Sequence, residues 1–217
     1  LWTLEGLHQN DPLLLFPLLA DNSQLIRANA IRLLEPLAAK DHSVRVRLER
    51  ELTALTKNSP AKTNLQISLT AGVLGKNAAR EILTEITNRY DTSALIRDVV
   101  LSSLYNEEFI FLRELKKSSF SKSSTPGKSI FLEMLTASIV RKGNSNELTN
   151  LLAMLDEDSI GWQEKAILTG MSIQGSNRKI KPVQLTSAPK VLTRTNSRIE
   201  PSRLKALENM FEWPGHT

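Results

Sequence analysis

A ten-residue pattern recurs along this 217-residue chain, and nothing else in the sequence constrains the fold as strongly. Asp21-Asn22-Ser23-Gln24-Leu25-Ile26-Arg27-Ala28-Asn29-Ala30 returns as Asp91-Thr92-Ser93-Ala94-Leu95-Ile96-Arg97-Asp98-Val99-Val100. Each copy has an acid, a short polar link, two apolar residues and an arginine six positions after the acid. A weaker copy places Asn58 and Asn64 at the same separation, with Ile67 where Ala30 and Val100 stand. A degenerate one runs from Glu157 to Gln163, with Ala166 at the small apolar place. The register steps are 37 residues (27 to 64), 33 (64 to 97) and 66 (97 to 163), the last equal to two steps of 33. Repetition on this scale marks stacked helical hairpins, each too small to bury its own apolar face.

The local signals agree. Asp11-Pro12 reads as an N-cap with proline at the first helical position, opening a helix to Leu19. Leu25, Ile26, Ala30, Leu33, Leu34 and Leu37 share one helical face, and Pro36 predicts a kink or early stop. Further hairpins are expected over 43–57 with 60–74, 78–90 with 93–104, 107–117 with 128–142, and 144–155 with 160–174. The serine-rich link 118–128 reads as mobile. The expected fold is all-α: an α-solenoid of about five hairpins over 1–175, a basic irregular segment over 176–200, and a C-terminal helix with an exit segment over 201–217.

Each recurring residue has a structural reading. An acid before a helix accepts from its free N–H groups. An arginine one turn in has a fork of donors long enough to reach the acid of a neighbouring repeat. Asp21, Arg27, Asp91 and Arg97 are therefore expected to form a structural ladder. Small residues such as Ala30 and Ala166 suit a close helix crossing.

Motifs that suggest chemistry lack their frames. Gly127-Lys128-Ser129 ends like a phosphate-binding loop, but position 122 is Lys122 where glycine is required. Gly170-Met171-Ser172-Ile173-Gln174-Gly175 is one residue too long for a nucleophile elbow and reads as a helix-packing patch. His8, His42 and His216 are dispersed, whereas a metal needs converging ligands. Glu107-Glu108 and Asp156-Glu157-Asp158 fall at helix starts or turns, and Trp2, Trp162 and Trp213 fit core or cap positions. The chain has no cysteine, which excludes disulfides, thiolate zinc sites and iron–sulfur clusters within it. No apolar run reaches the ~18 residues of a membrane span. No catalytic, cofactor-binding or metal-binding residue is assigned, and no cofactor is expected in this stretch. It opens within a helical pattern at Leu1-Trp2-Thr3-Leu4, without methionine, and reads as a piece of a longer protein.

The stretches Leu18 to Leu34 and Asp91 to Leu104 resemble HEAT repeats. A narrower resemblance rests on Leu1-Trp2-Thr3-Leu4-Glu5-Gly6-Leu7, Leu65-Gln66-Ile67-Ser68-Leu69, Val100-Leu101-Ser102-Ser103-Leu104, Trp162-Gln163 to Gly170, and Phe211-Glu212-Trp213-Pro214-Gly215, in that order. These are similar to the HEAT-repeat region of bacterial proteins of the membrane-bound dehydrogenase type. There a sorbosone-dehydrogenase-like propeller precedes the repeats and a c-type cytochrome domain follows them. The resemblance implies a periplasmic or secreted parent. The family's functional residues match no position here, so any redox activity would belong to the parent.

The functional expectation is a non-catalytic scaffold that docks neighbouring domains or another protein. Two rivals remain: an enzyme with an unrecognised site, and weak nucleic-acid binding. The second rests on charge. The net charge is +5. Eight basic residues lie between 176 and 205: Arg178, Lys179, Lys181 and Lys190, then Arg194, Arg198, Arg203 and Lys205. The segment attracts phosphates but holds no aromatic residue on which bases could stack, so a protein partner is the preferred reading.

Overall fold

The structure is a computed structural model describing residues 5–6, 10–157, 161–175, 181–193 and 200–215. Trp2, His8 and His216 lie outside the described residues. The fold is all-α, arranged in two compact units, Leu1–Tyr105 and Asn106–Thr217.

In the first unit, helix α1 (Pro12–Leu15) begins where the Asp11 carboxylate accepts from the Leu13 N–H at 2.8 Å, and it runs into a 3-10 turn over Phe16–Ala20. Helix α2 (Gln24–Lys40) continues through Pro36 without the early stop its ring suggests. Pro36 is exposed, on a side where water serves the carbonyl released by the ring. Asp41 then caps α3 (His42–Thr56), accepting from the Ser43 N–H at 2.7 Å and the Val44 N–H at 3.4 Å. Helix α4 (Ala61–Thr70) is followed by α5 (Lys76–Arg89) and α6 (Ala94–Ser103). The α5 helix starts at Lys76, ahead of position 78, where the sequence pattern places its start. The Glu49 carboxylate, carried by α3, accepts from the Gly75 N–H at 2.6 Å and serves that end.

The second helices of successive hairpins lie side by side, α4 packing on both α2 and α6, while α3 packs on α2 and α5. Ile31, Leu34, Leu48, Leu52, Ile67 and Val100 are completely buried between these layers. Their burial supplies the main driving force, about 1.5–3 kcal/mol for each large aliphatic side chain. Polar bonds then fix the register. The Thr70 hydroxyl donates to the Glu35 carboxylate at 2.9 Å, tying α4 to α2. The Ser103 hydroxyl donates to the Ser68 carbonyl at 2.7 Å, tying α6 to α4.

The second unit opens with α7 (Glu108–Lys117), a 3-10 turn (Ser119–Lys122) and α8 (Pro126–Lys142). The link between the helices was expected to be mobile, yet it is pinned. Phe120 is buried in it, with its ring 6.2 Å from Phe131 and 6.1 Å from Trp162. Gly143 ends α8 in the left-handed region (φ 67°), which glycine adopts without strain. Asn144 caps α9 (Ser145–Glu157), accepting from the Asn146 and Glu147 N–H groups. Helix α10 (Gly161–Gly175) packs against α8. The two backbones come close at Gly170, where an added Cβ would lie 2.3 Å from the Glu133 carbonyl oxygen. The small patch expected around Gly170 is thus a helix contact, and Ala166, one turn earlier, is buried beside it.

The C-terminal stretch belongs to this unit. Val183–Gln184 (β1) pairs in parallel with Phe211–Glu212 (β2), Val183 opposite Phe211. The Asp156 carboxylate accepts from the Lys190 and Val191 N–H groups at 3.0 and 2.6 Å and opens α11 (Lys190–Thr193). Helix α12 (Pro201–Glu208) packs on α10.

Two predictions follow from this packing. Gly170→Ala should lower stability by about 1–3 kcal/mol in urea denaturation through overpacking, while Gly72→Ala, whose Cβ meets nothing within 4 Å, should not. The second concerns Asp41, whose carboxyl is held below its usual pKa by the Ser43 hydroxyl first and then by the Ser43 and Val44 N–H groups. A depressed folded-state pKa stabilises above the unfolded value of about 3.9 and loses that effect as pH falls through the folded value. Asp41→Asn should therefore flatten the acid limb of a thermal midpoint measured against pH and leave the neutral region unchanged in slope.

Candidate functional site: loop clamps and a basic groove

The recurring arginines bond within their own hairpins. Arg27 donates from Nη1 to the Asp21 carbonyl at 2.6 Å, with the Asn22 carbonyl at 3.4 Å. Arg97 donates from Nη1 to the Asp91 carbonyl at 2.6 Å. The two geometries match further, since Nε of each arginine is buried without a hydrogen-bond partner among the described residues. Each guanidinium folds back over the loop that precedes its helix and takes up a carbonyl that no helix serves. Asp21 accepts from the Ser23 N–H at 2.7 Å in a local turn, whereas Ser93 caps α6.

Asn64 performs the same act with an amide. Its Nδ2 lies 3.0 Å from the Ser59 carbonyl, 3.3 Å from the Thr56 carbonyl and 3.3 Å from the Tyr90 hydroxyl. Arg89 and Tyr90 complete the cradle from α5 and its end. Arg89 Nη1 donates to the Thr56 and Lys57 carbonyls at 2.8 and 2.6 Å, and the Tyr90 hydroxyl donates to the Ser59 carbonyl at 2.8 Å.

Lys128 is the copy the sequence pattern leaves blank. Its ammonium, nearly buried, donates to the Phe120 and Ser123 carbonyls at 3.1 Å each and to the Ser123 hydroxyl at 3.2 Å. It also lies 5.2 Å from the centre of the Phe120 ring. Lys128 stands 31 residues after Arg97 and 35 before Gln163, dividing the double step of 66. The Gly127-Lys128-Ser129 ending thus marks a loop clamp. The step length was the signal that would have found it; the motif's familiar ending concealed it. Gln163 is buried at the fifth position, and the loop ahead of it, 158–160, lies outside the described residues.

The proposed basic patch falls partly outside the described residues: Arg178, Lys179, Arg194 and Arg198. Lys181, Lys190, Arg203 and Lys205 are exposed. Arg203 and Lys205 are two positions apart on α12, about 200° around its axis, so they do not share one face.

A different set of cations does share one. Arg113, Lys116 and Lys117 stand at i, i+3 and i+4 on α7, with Phe109 one turn earlier on the same stripe. Opposite them, α9 presents Asn150, Ala153 and Met154 at the same spacing. Both helices pack on α8, and the stripes line an open groove of about 470 Å³. Among the described residues, no carboxylate lines it. The sequence carried this signal as Arg-x-x-Lys-Lys; a charge count along the chain passes over it because the denser basic run lies elsewhere. A second cleft, of about 620 Å³, borders β1 and β2 and is lined by Glu208 and Glu212.

Among the described residues, no three His, Cys, Asp or Glu side chains converge as metal ligands would, and no helix is long and apolar enough to cross a membrane. His42 is exposed, with its Nδ1 2.7 Å from Arg45. Compared with family models, curated proteins and solved structures, the chain matches none of them.

The clamps predict a graded loss. Lys128→Met keeps the apolar stem, strands two loop carbonyls and should cost about 1.5–3 kcal/mol. Asn64→Ala should fall in the same range, and Arg97→Ala nearer 1 kcal/mol because the guanidinium is half-exposed and screened. Chemical denaturation measures the loss. Limited trypsin digestion should also open the 118–125 link first in Lys128→Met.

Proposed function

We propose that this chain is a non-catalytic helical-repeat module, a HEAT-type α-solenoid, that docks a protein partner or the neighbouring domains of a larger protein. The observation that carries this reading is where the repeat-position donors point. Arg27, Asn64, Arg97 and Lys128 occupy the recurring position, and each is engaged with the carbonyls of its own loop. Their recurrence at steps of 37, 33 and 31 residues is that of one hairpin design used repeatedly. Such a design yields a long surface of exposed helix faces, suited to holding other proteins. The resemblance noted above supplies the setting we propose: a periplasmic or secreted redox protein in which the repeats space catalytic domains and perform no redox step themselves.

Two measurements check this. An extended repeat array should give a radius of gyration in small-angle scattering clearly above the ~17 Å of a compact globule of this length. Amine-reactive crosslinking of the natural gene product in cells, read by mass spectrometry, should join Lys116 or Lys117 to another domain or another polypeptide. A compact radius together with crosslinks confined to this chain would overturn the docking reading.

A further inference from the structure

We propose that the groove between α7 and α9 binds an acidic peptide segment of a protein partner, its apolar side chain on Phe109 and Met154 and its carboxylates against Arg113 and Lys117. The inference rests on the docking reading and names the chemistry of the partner. Three features of the groove argue for it.

The charge is organised. All three cations come from one stripe of α7, and the described α9 residues that line the groove, Asn150, Ala153 and Met154, are neutral. Arg113 and Lys117 are exposed and form no salt bridge with a carboxylate among the described residues. An anionic ligand therefore meets positive charge on one wall without displacing an internal acid from these two. The Arg113 fork matches a carboxylate in two parallel bonds, while the lysines act as mobile point charges.

The floor is apolar. Phe109 is almost buried, so it offers an edge for an aliphatic side chain, and the Met154 thioether adapts its shape to what it meets. Ala153, exposed and small, leaves the opposite wall open, and the Asn150 amide is placed to bond a peptide backbone. From Phe109 to Lys117 the stripe runs about 12 Å along the helix axis. That length matches roughly four residues of extended chain. A segment alternating acidic and apolar side chains has the right period to face cations with one set and the floor with the other.

A nucleic acid satisfies only half of this. The cations would meet phosphates, but Phe109 is too buried to stack a base, and no other described residue of the lining is aromatic.

Fluorescence anisotropy with the whole chain tests the proposal. The probes are a fluorescein-labelled peptide alternating Glu or Asp with Leu, the same peptide with Gln and Asn replacing the acids, and an oligothymidylate of equal charge. The acidic peptide should bind at least about tenfold more tightly than the neutral one, and weaken as salt shortens the screening length. The double variant Arg113→Glu/Lys117→Glu should abolish this preference while its circular dichroism melt stays close to the parent's. Ala153→Trp, which fills the groove and leaves its charge unchanged, should also block binding. Equal binding of both peptides, binding that survives both variants, or tighter binding of the oligothymidylate would overturn the proposal. Its failure leaves the scattering and crosslinking results standing. A compact, uncrosslinked chain that still binds the peptide through Arg113 and Lys117 would sink the docking array and keep the groove.

Discussion

A tight turn between two packed helices leaves backbone carbonyls that neither helix serves, and burying them without a donor costs about 1–3 kcal/mol apiece. This chain answers that constraint the same way at least four times. A long polar side chain in the first turn of the second helix folds back and donates to the loop before it. The donor's chemistry varies with its surroundings. Arginine serves where the site is half-exposed, at Arg27 and Arg97. At buried Asn64 a neutral amide does the work, helped by Arg89 and Tyr90. At Lys128 the cation sits over the ring of Phe120, which the same loop carries. Ordered loops let the second helices lie flush within each unit, and the remaining core is largely aliphatic packing between them, joined in the second unit by ring contacts of Phe131 with Phe111 and Phe120.

That device bears on function by elimination of appearances. A lysine after glycine and before serine suggests a nucleotide, and a repeated acid and arginine suggest an ion-pair ladder. Both patterns turn inward onto the backbone. The cations of α7 behave otherwise: they stand on an outer stripe, beside a second helix with small and adaptable residues, over an apolar floor. Charge concentrated in the C-terminal quarter drew the eye in the sequence, yet Arg203 and Lys205 diverge around their helix. Helical phase, more than the number of charges, decides whether they act together.

Much of the architecture was legible from residues alone because helices announce themselves locally. Asp11-Pro12 opens the helix at which it was read, and most of the other helices lie within the ranges that spacing predicts. Less legible were events decided by distant residues. Glu49 reaches Gly75 from α3, across α4 in sequence, and serves the start of α5 ahead of where the sequence places it. Pro36 fails to stop α2 because its side of the helix faces water. The serine-rich link between α7 and α8 has the composition of a mobile loop, but one phenylalanine and one lysine hold it.

The sequence by itself determined that the chain is helical, where most hairpins lie and at what period they recur, since caps, helical spacing and repeat length are local or one-dimensional properties. Only the tertiary structure decided what the recurring side chains touch. A six-residue separation is compatible with an arginine reaching a neighbour's acid or its own loop, and the choice depends on which carbonyls packing leaves unserved. Tertiary structure likewise turned Gly170 into a backbone contact, made Lys128 a clamp, and set the stripe of Arg113, Lys116 and Lys117 against that of Asn150, Ala153 and Met154. Those pairings come from helices brought together across the fold: local spacing shows which face is apolar, and not which helix that face meets.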